Sequence, residues 1–447
     1  MSKIIDAVSI VLTCGNELFA IQRQNFLNAF PGYWAFPGGK VEKEDTLFSS
    51  DIALCRHLDQ RLLGAVIREG EEELGIDLIE EIKRGMISGI NFLGLAVTPD
   101  FNPYRFATHF FKIDFSHKVE FFVDQNEAQR AEWISANSLL QNFNNGQILA
   151  VPPVIKVIET LGKNPDTKLI EDINFDYDHL RSVPYIENLK GIRQIMPLSN
   201  TLPPATRTNS FLIGDDLRII VDPSPKDDEE YSKFVNTMNR WGGHKILLTH
   251  HHPDHHERAN KLAREMNFPI LLSRDTYGRI KKKEPFYFDQ INVEFVQEGD
   301  IITTWLGKNV LVLEVPGHDE GQIALYSQDL SWLIAGDLFQ GIGTVVIGGD
   351  EGDMKKYFST LERLINLSPK VVFPSHGIGL GGTNIFEKTL EHRKLREKQV
   401  LKYHLEGHSP EEILEKIYSD VDQKLWPYAL QNIHKHLEKL REEKLIK

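Results

Sequence analysis

Midway along the chain, His250-His251-His252-Pro253-Asp254-His255-His256 follows the apolar run Ile246-Leu247-Leu248-Thr249. A strand would deliver this cluster into the loop beyond its C-terminal end, with His250, His252, Asp254 and His255 spaced His-X-His-X-Asp-His. Neutral imidazoles favour zinc, and a carboxylate among them suits a second, harder metal position. The run is internal and broken by Pro and Asp, unlike a purification tag. Three later segments end apolar stretches in the same way: Pro316-Gly317-His318, Ala335-Gly336-Asp337 and Pro374-Ser375-His376-Gly377. Each alone reads as a loop residue with an ordinary hydrogen bond; together they supply further donors. A separate group lies in Arg68-Glu69-Gly70-Glu71-Glu72-Glu73-Leu74-Gly75-Ile76. On a helix, Glu69, Glu72 and Glu73 stand at i, i+3 and i+4 and share a face. Like charges so placed destabilise a bare helix, so Mg²⁺ or Mn²⁺ is the natural reason for them.

The elements that must position these groups are legible in outline. Ala7 to Thr13 and Leu18 to Gln22 read as two strands around the turn Cys14-Gly15-Asn16-Glu17. The Gly/Pro-rich stretch Pro31 to Gly39 is a loop, and a helix is expected from about Asp51 to Leu74, stopped by Gly75. Phe106 to Phe115 is strand material, and Glu132 to Leu140 a strand running into a helix. Pro152-Pro153 and the polar run Lys163 to Asp178 close this first unit. Alternating strands and helices then continue to about Gly382, and the charged text from Ile385 onward is helical. Three domains are therefore expected, over residues 1–178, 183–384 and 385–447.

Gly39 together with Arg68 to Ile76 resembles the Nudix box, a Gly and a Glu followed by Arg-Glu-X-X-Glu-Glu-X-Gly and an aliphatic residue. The box is interrupted from about Thr46 to Leu62, Asp45 or Glu44 must stand in for its first Glu, and Gly70 occupies a normally apolar position. The interruption and Arg105 to Phe111 are similar to the branch that includes coenzyme A diphosphatases. The resemblance covers about residues 5–160. It implies Gly39, Arg68, Glu69, Glu72, Glu73 and Gly75 as box residues. Glu72 and Glu73 would bind Mg²⁺ or Mn²⁺, Glu69 would bind metal or activate water, and Arg68 would orient the cluster. Glu127 is a candidate extra carboxylate from a later loop. The reaction implied is hydrolysis of a diphosphate linked to another moiety.

The ordered His and Asp segments resemble the metallo-β-lactamase fold pattern. That match implies one metal on His250, His252 and His318, and another on Asp254, His255 and His376, with Asp337 bridging. Two zinc ions would share a hydroxide nucleophile, making Asp254 and Asp337 catalytic together with Glu69 of the first domain. Residues 200–209, Gly317-His318 and the tail Ala429 to Leu440 are similar to the β-lactamase-like-protein-2 group. Its members carry a winged-helix-like extension, and some cleave single-stranded RNA; Ser375 stands where that group usually has Gly. In the tail, Ala429, Leu430, Ile433, Leu437 and Leu440 have helical packing spacing, leaving His434, Lys435 and Lys439 partly exposed. With Arg393, Lys394 and Arg396 these cations are candidates to track phosphates. The implied fold class is α/β: a Nudix α/β/α sandwich, a metallo-β-lactamase αβ/βα sandwich and a small C-terminal helical, winged-helix-like domain.

Composition narrows the partners. With 51 basic and 64 acidic residues, a net charge of -13 argues against a general nucleic-acid coat. Two cysteines, Cys14 and Cys55, are too few for a disulfide scaffold and suit a reducing compartment. Neither a signal-peptide pattern nor a membrane-length apolar run is expected, so a cytoplasmic location follows. The leading reading is a bifunctional hydrolase. Its alternatives make the second half a thioesterase or glyoxalase-II-like enzyme, or the first half a nucleotide-sensing module. A small-molecule diphosphate and single-stranded RNA are the candidate partners.

Overall fold

The computed structural model describes residues 4–50, 52–102, 104–174, 177–341 and 343–447. The chain forms two compact units. One comprises residues 1–177 with 186–190, the other 178–185 with 191–447.

In the first unit the strand order is Trp34–Ala35, Glu17–Arg23, Ile5–Cys14, Phe106–Phe115, Ile87–Val97, and Ala128–Ser135 also pairs with Glu17–Arg23. Ile5–Cys14 and Phe106–Phe115 run parallel while the other pairs are antiparallel, so the sheet is mixed. Alternation along the first strand sends Val8, Ile10 and Leu12 to one face and Val11 to the other. On the first face they meet Leu62, Leu63 and Val66 of the helix Gln60–Leu74. On the second, Val11 meets Leu139 of Ala136–Asn144 and Val154, Val157 and Ile158 of Pro152–Lys163. This is an α/β/α sandwich.

The helix carrying the glutamates begins at Gln60, later than expected. Asp59 caps it by accepting from the Arg61 and Leu62 amides, and Gln60 Nε2 ties the preceding turns through the Cys55 and Leu58 carbonyls. The expected start, Asp51, lies outside the described residues. At the other end Gly75 adopts φ 65° as the stop.

The second unit has two sheets. One runs Val293–Phe295, Ile270–Leu272, Lys245–Leu247, Ile219–Val221, Ser210–Ile213, Ile192–Ile195. The other runs Ile301–Trp305, Lys308–Glu314, Ile323–Ser327, Leu333–Ile334, Val371–Phe373, Leu380–Gly381. Phe211 and Phe373 meet edge-on between them, ring centroids 5.8 Å apart. Asp228–Met238, Ala259–Met266 and Arg274–Lys283 cover the first sheet, and Met354–Leu367 and Asn384–Leu405 the second. This is the αβ/βα sandwich. At the C-terminus, Asn384–Leu405, Pro410–Ile417 and Trp426–Glu442 enclose Val400, Ile413, Leu414, Ala429, Ile433, Leu437 and Leu440. No described helix is long and apolar enough to cross a membrane.

Candidate metal centre and carboxylate site

Each expected donor of the second unit follows a short, buried strand. His250 lies beyond Lys245–Leu247, His318 beyond Lys308–Glu314, Asp337 beyond Leu333–Ile334 and His376 beyond Val371–Phe373. His252 caps the single turn Pro253–His256, which carries Asp254 and His255. All seven converge. His252 Nδ1 lies 3.0 Å from both His250 Nε2 and His318 Nε2. Asp337 Oδ1 is 3.5 Å from His255 Nε2 and from His376 Nε2, while Oδ2 is 3.9 Å from His318 Nε2. Asp254 Oδ2 is 3.6 Å from His376 Nε2. The two oxygens of Asp337 thus face the two donor groups.

The outward nitrogens set the tautomers. His255 Nδ1 donates to Asp222 at 2.9 Å, His376 Nδ1 to the Arg207 carbonyl at 2.8 Å and His318 Nδ1 to the Val346 carbonyl at 2.8 Å. Thr249 Oγ1 gives its hydrogen to Asp222 and lies 3.1 Å from His250 Nδ1, from which it can therefore accept. Lone pairs are left pointing inward. Three of the inward atoms, His255 Nε2, His376 Nε2 and Asp337 Oδ1, are buried without a hydrogen-bond partner. Uncompensated burial of that kind is costly, and a pair of divalent cations would satisfy all of it. Nitrogen separations near 3 Å match donors about 2.0–2.1 Å from a shared ion. The residues fit the group.

Electrostatics agree. Burial opposes charge on His250 and holds it well below the usual imidazole range. Burial also opposes charge on His255, but the neighbouring Asp337, Asp254 and Asp222 carboxylates raise it well above that range.

The first unit's glutamates are arranged differently. The expected orienting role of Arg68 fits its contacts: its Nη1 donates to Glu69 Oε1 at 2.8 Å and Glu72 Oε2 at 2.9 Å. Nε and Nη2 grip Asp45 at 3.0 and 3.1 Å, and Nη2 also reaches the Lys40 carbonyl. Asp45 is buried while Glu44 is exposed, so it is Asp45 that faces Arg68. Glu73 turns away to accept from the Gly38 amide at 2.8 Å. Burial raises Glu73 to about 7; the Gly38 amide works against the rise, and the charges of Glu69 and Glu127 add to it. Glu127 therefore sits within electrostatic reach of the cluster. Two glycines fit by close approach. A Cβ on Gly39 would lie 2.4 Å from Glu69 Oε1, and one on Gly70 would meet Leu78 Cδ1 at 3.0 Å. Leu78 fills the apolar position that Gly70 leaves open. The close-set donor groups among the described residues all belong to the His cluster.

Residues 3–152 match the family "NUDIX domain", 203–376 "Metallo-beta-lactamase superfamily" and 409–447 "Beta-lactamase associated winged helix domain". The chain joins a NUDIX domain to a metallo-β-lactamase domain. Both are hydrolase families that bind divalent metals. A Drosophila melanogaster protein named Beta-lactamase-like protein 2 homolog is 27% identical over 260 residues, covering 53% of this chain and 82% of that protein. A hydroxyacylglutathione hydrolase of Bdellovibrio bacteriovorus is 30% identical over 167 residues, 36% of this chain and 60% of that enzyme. In fold, the chain is similar to a beta-lactamase domain protein from Burkholderia ambifaria, with TM-score 0.52, 21% identity and coverage of 60% and 90% of the two chains.

Sequence reasoning missed three supports of the metallo-β-lactamase site. Asp222, at the end of the apolar strand Ile219–Val221, takes hydrogen bonds from the Thr249 amide and hydroxyl and from His255. A lone Asp closing a buried strand was the available signal. Glu351 Oε1 faces His252 Nε2 at 3.5 Å, and Val346 supplies only a carbonyl. Neither had a sequence signal. The winged-helix cations correct an expectation. Lys439 is buried against Glu397 and Glu443, Lys435 pairs with Glu438, and Lys394 with Glu362. Arg396 donates to the Ile417 carbonyl, and Arg393 is fully enclosed. The helical spacing that packs Leu437 and Leu440 carries Lys439 inward with them. Of the three expected to be partly exposed, His434 is exposed and Lys435 half-buried, and Lys439 alone is buried.

Proposed function

We propose that the metallo-β-lactamase half hydrolyses a small acyl ester or thioester, and that the NUDIX half hydrolyses a diphosphate linkage in a nucleoside diphosphate conjugate such as coenzyme A. The convergence of seven His and Asp side chains, with three inward atoms left without a hydrogen-bond partner, carries the first reading. His250, His252 and His318 would hold one zinc ion, Asp254, His255 and His376 a second, and Asp337 would face both. Bound there, the ions would lower the pKa of an attacking water and stabilise the negative charge that develops on the attacked acyl group before the alcohol or thiol leaves. The chain does the rest. Asp222, Thr249 and the Arg207 and Val346 carbonyls fix the imidazoles, so no reorientation is needed during the reaction. Asp254 and Asp337 are the carboxylates placed to take the proton that water gives up. In the NUDIX half, Glu72 and Glu73 would hold Mg²⁺ or Mn²⁺, and Glu69, kept in place by Arg68, would bind metal or activate water.

A small substrate is favoured because the tail cations are spent on internal pairs, and because several relatives are named hydroxyacylglutathione hydrolase. Single-stranded RNA is the second reading, favoured by the similarity to the Drosophila protein over most of its length. Assays of the full chain separate them. Thioester turnover with shallow salt dependence is expected; RNA cleavage falling steeply with salt, without thioester turnover, would establish the second reading. Glu72→Gln and Glu73→Gln should each abolish Mg²⁺-dependent cleavage of coenzyme A while leaving thioester turnover intact. Diphosphatase activity unchanged by both would make the NUDIX half a nucleotide-binding module.

A further inference from the structure

Both the His318 and His252 supports come from one loop between Asp337 and the helix Met354–Leu367. Val346 offers its carbonyl to His318 Nδ1, and Glu351 faces His252 Nε2. The segment is rich in glycine, with Gly348, Gly349 and Gly352, and residues 344–350 have no helix or strand of their own. Its rigidity has to come from outside.

It comes from the C-terminal helices. Arg393 of Asn384–Leu405, 2% exposed, donates through Nη2 to the Val345 carbonyl and through Nη1 to Asn432 Oδ1 at 3.1 Å. Asn432 of Trp426–Glu442 accepts at the same oxygen from the Ile347 amide at 2.9 Å. Its Nδ2 donates to the Tyr428 carbonyl at 3.2 Å, which fixes the orientation of the amide. The peptide groups on either side of Val346 are thus held by one buried pair. Gly348, next along, packs so closely on Gln431 that a Cβ would lie 1.9 Å from its Oε1. A buried guanidinium is expensive unless its hydrogens are bonded, and the apolar cluster of these helices would not by itself require one. Arg393 spends its hydrogens on the loop that orients metal donors.

We propose that Arg393 and Asn432 are positioning residues of the metal centre. Through them the C-terminal helices lock residues 345–351, so that the Val346 carbonyl and Glu351 aim His318 and His252. This rests on the reading of His250, His252 and His318 as a metal site. It gives the C-terminal segment a role that needs no contact with substrate.

Zinc itself is the probe, titrated into the metal-free full chain against a chelator of known affinity. Arg393→Met and Asn432→Leu should each weaken one of the two zinc ions by about tenfold or more while the other is retained. Asn432→Asp keeps an acceptor for both Arg393 and the Ile347 amide and should restore near wild-type affinity. Leu414→Ala, which thins the helices' own apolar cluster without touching the loop, controls for lost stability. Its folded fraction should bind both ions as wild type does. The proposal is overturned if Arg393→Met and Asn432→Leu hold both ions normally. It is also overturned if Leu414→Ala, at matched loss of melting temperature, releases zinc equally. A wild-type chain taking up no zinc would instead remove the metal reading, and the positioning role with it.

Discussion

The two candidate sites on this chain hold their His, Asp and Glu side chains together in opposite ways. In the metallo-β-lactamase half the donors are mostly imidazoles, whose outward nitrogens are tied to Thr249, Asp222, Arg207 and Val346. Imidazoles can be brought within 3.0 Å of one another, as at His250, His252 and His318, while His255 Nε2 and His376 Nε2 keep no hydrogen-bond partner. In the NUDIX half the donors are carboxylates, and Arg68 and the Gly38 amide already occupy them. Two carboxylates about 4 Å apart repel by about 4 kcal/mol at an effective dielectric constant near 20. A bare cluster of three would not stay assembled, so a cation is built in. Histidine sites can be preformed by hydrogen bonding alone; carboxylate sites need a counter-charge.

The largest expected effect removes the one group that serves both ions. Asp337→Ala takes away oxygens facing both donor groups and leaves the buried His255 and His376 without a counter-charge. Zinc content should fall from two ions to at most one, and ester hydrolysis by about a thousandfold, since removing a group that stabilises the transition state costs on that order. Coenzyme A cleavage by the NUDIX half should be unchanged, because mutations in separate sites act additively. Metal analysis and parallel assays check this. Unchanged zinc would break the contrast between a preformed and a counter-charged site.

How far the sequence reached follows the same divide. The four segments that bring the seven His and Asp side chains together were legible because each ends an apolar run, and strand ends are where such folds place chemistry. Box residues Arg68 to Gly75 were legible through helical spacing and a Gly stop. The helix start was not: Asp59 and Gln60 define it through side-chain bonds to the turns before them, and the text from Leu54 to Leu58 carries apolar residues that read as helix. The choice between Glu44 and Asp45 was open because the two are adjacent and differ in burial, which depends on how the interrupted box folds back onto Arg68. Lys439 and Arg393 were misread because periodicity gives a helix's apolar face, whereas both lie buried, Lys439 neutralised by Glu397 and Arg393 hydrogen-bonded to Asn432 and a carbonyl.

A second, smaller effect sharpens the comparison from the NUDIX side. If Arg68 is the built-in cation, its buried bidentate partner Asp45 holds it in place. Asp45→Asn should destabilise this domain by about 3 kcal/mol, the low end for breaking a buried ion pair. It should also lower diphosphatase activity, since Arg68 would no longer be fixed between Glu69 and Glu72. Glu44→Gln, at an exposed neighbour, should do neither. Thermal denaturation of the two variants decides it. Equal melting temperatures would mean that Asp45 does not anchor the cation.

The smallest effect is the pH dependence of Glu73, and it has a definite sign. Unfolded, its carboxyl ionises near the ordinary value of 4.5; folded, burial holds it protonated up to about 7. Between these values the folded state keeps a proton that the unfolded chain has lost. Stability from this group is therefore complete below pH 4.5 and is lost as pH rises through about 7. The loss for the metal-free domain should be on the order of 2 kcal/mol, less than the full shift implies, since the site is not wholly sealed from water. A divalent cation neutralises the ionised carboxylate, so Mg²⁺ should stabilise the domain more at pH 8 than at pH 5. Glu73→Gln keeps an oxygen for the Gly38 amide but cannot ionise, so it should flatten the profile and raise the metal-free melting temperature at pH 8. The metallo-β-lactamase half should respond to pH in the same sense toward its metal, because His250, His252 and His318 must be unprotonated to bind and acid should release zinc. Melting curves of the metal-free chain from pH 5 to pH 8, with and without added Mg²⁺, read the first trend, and zinc content against pH reads the second. A Glu73→Gln variant with the wild-type pH profile would show that the buried carboxyl carries no such cost, and that Arg68 and Gly38 already compensate the whole cluster.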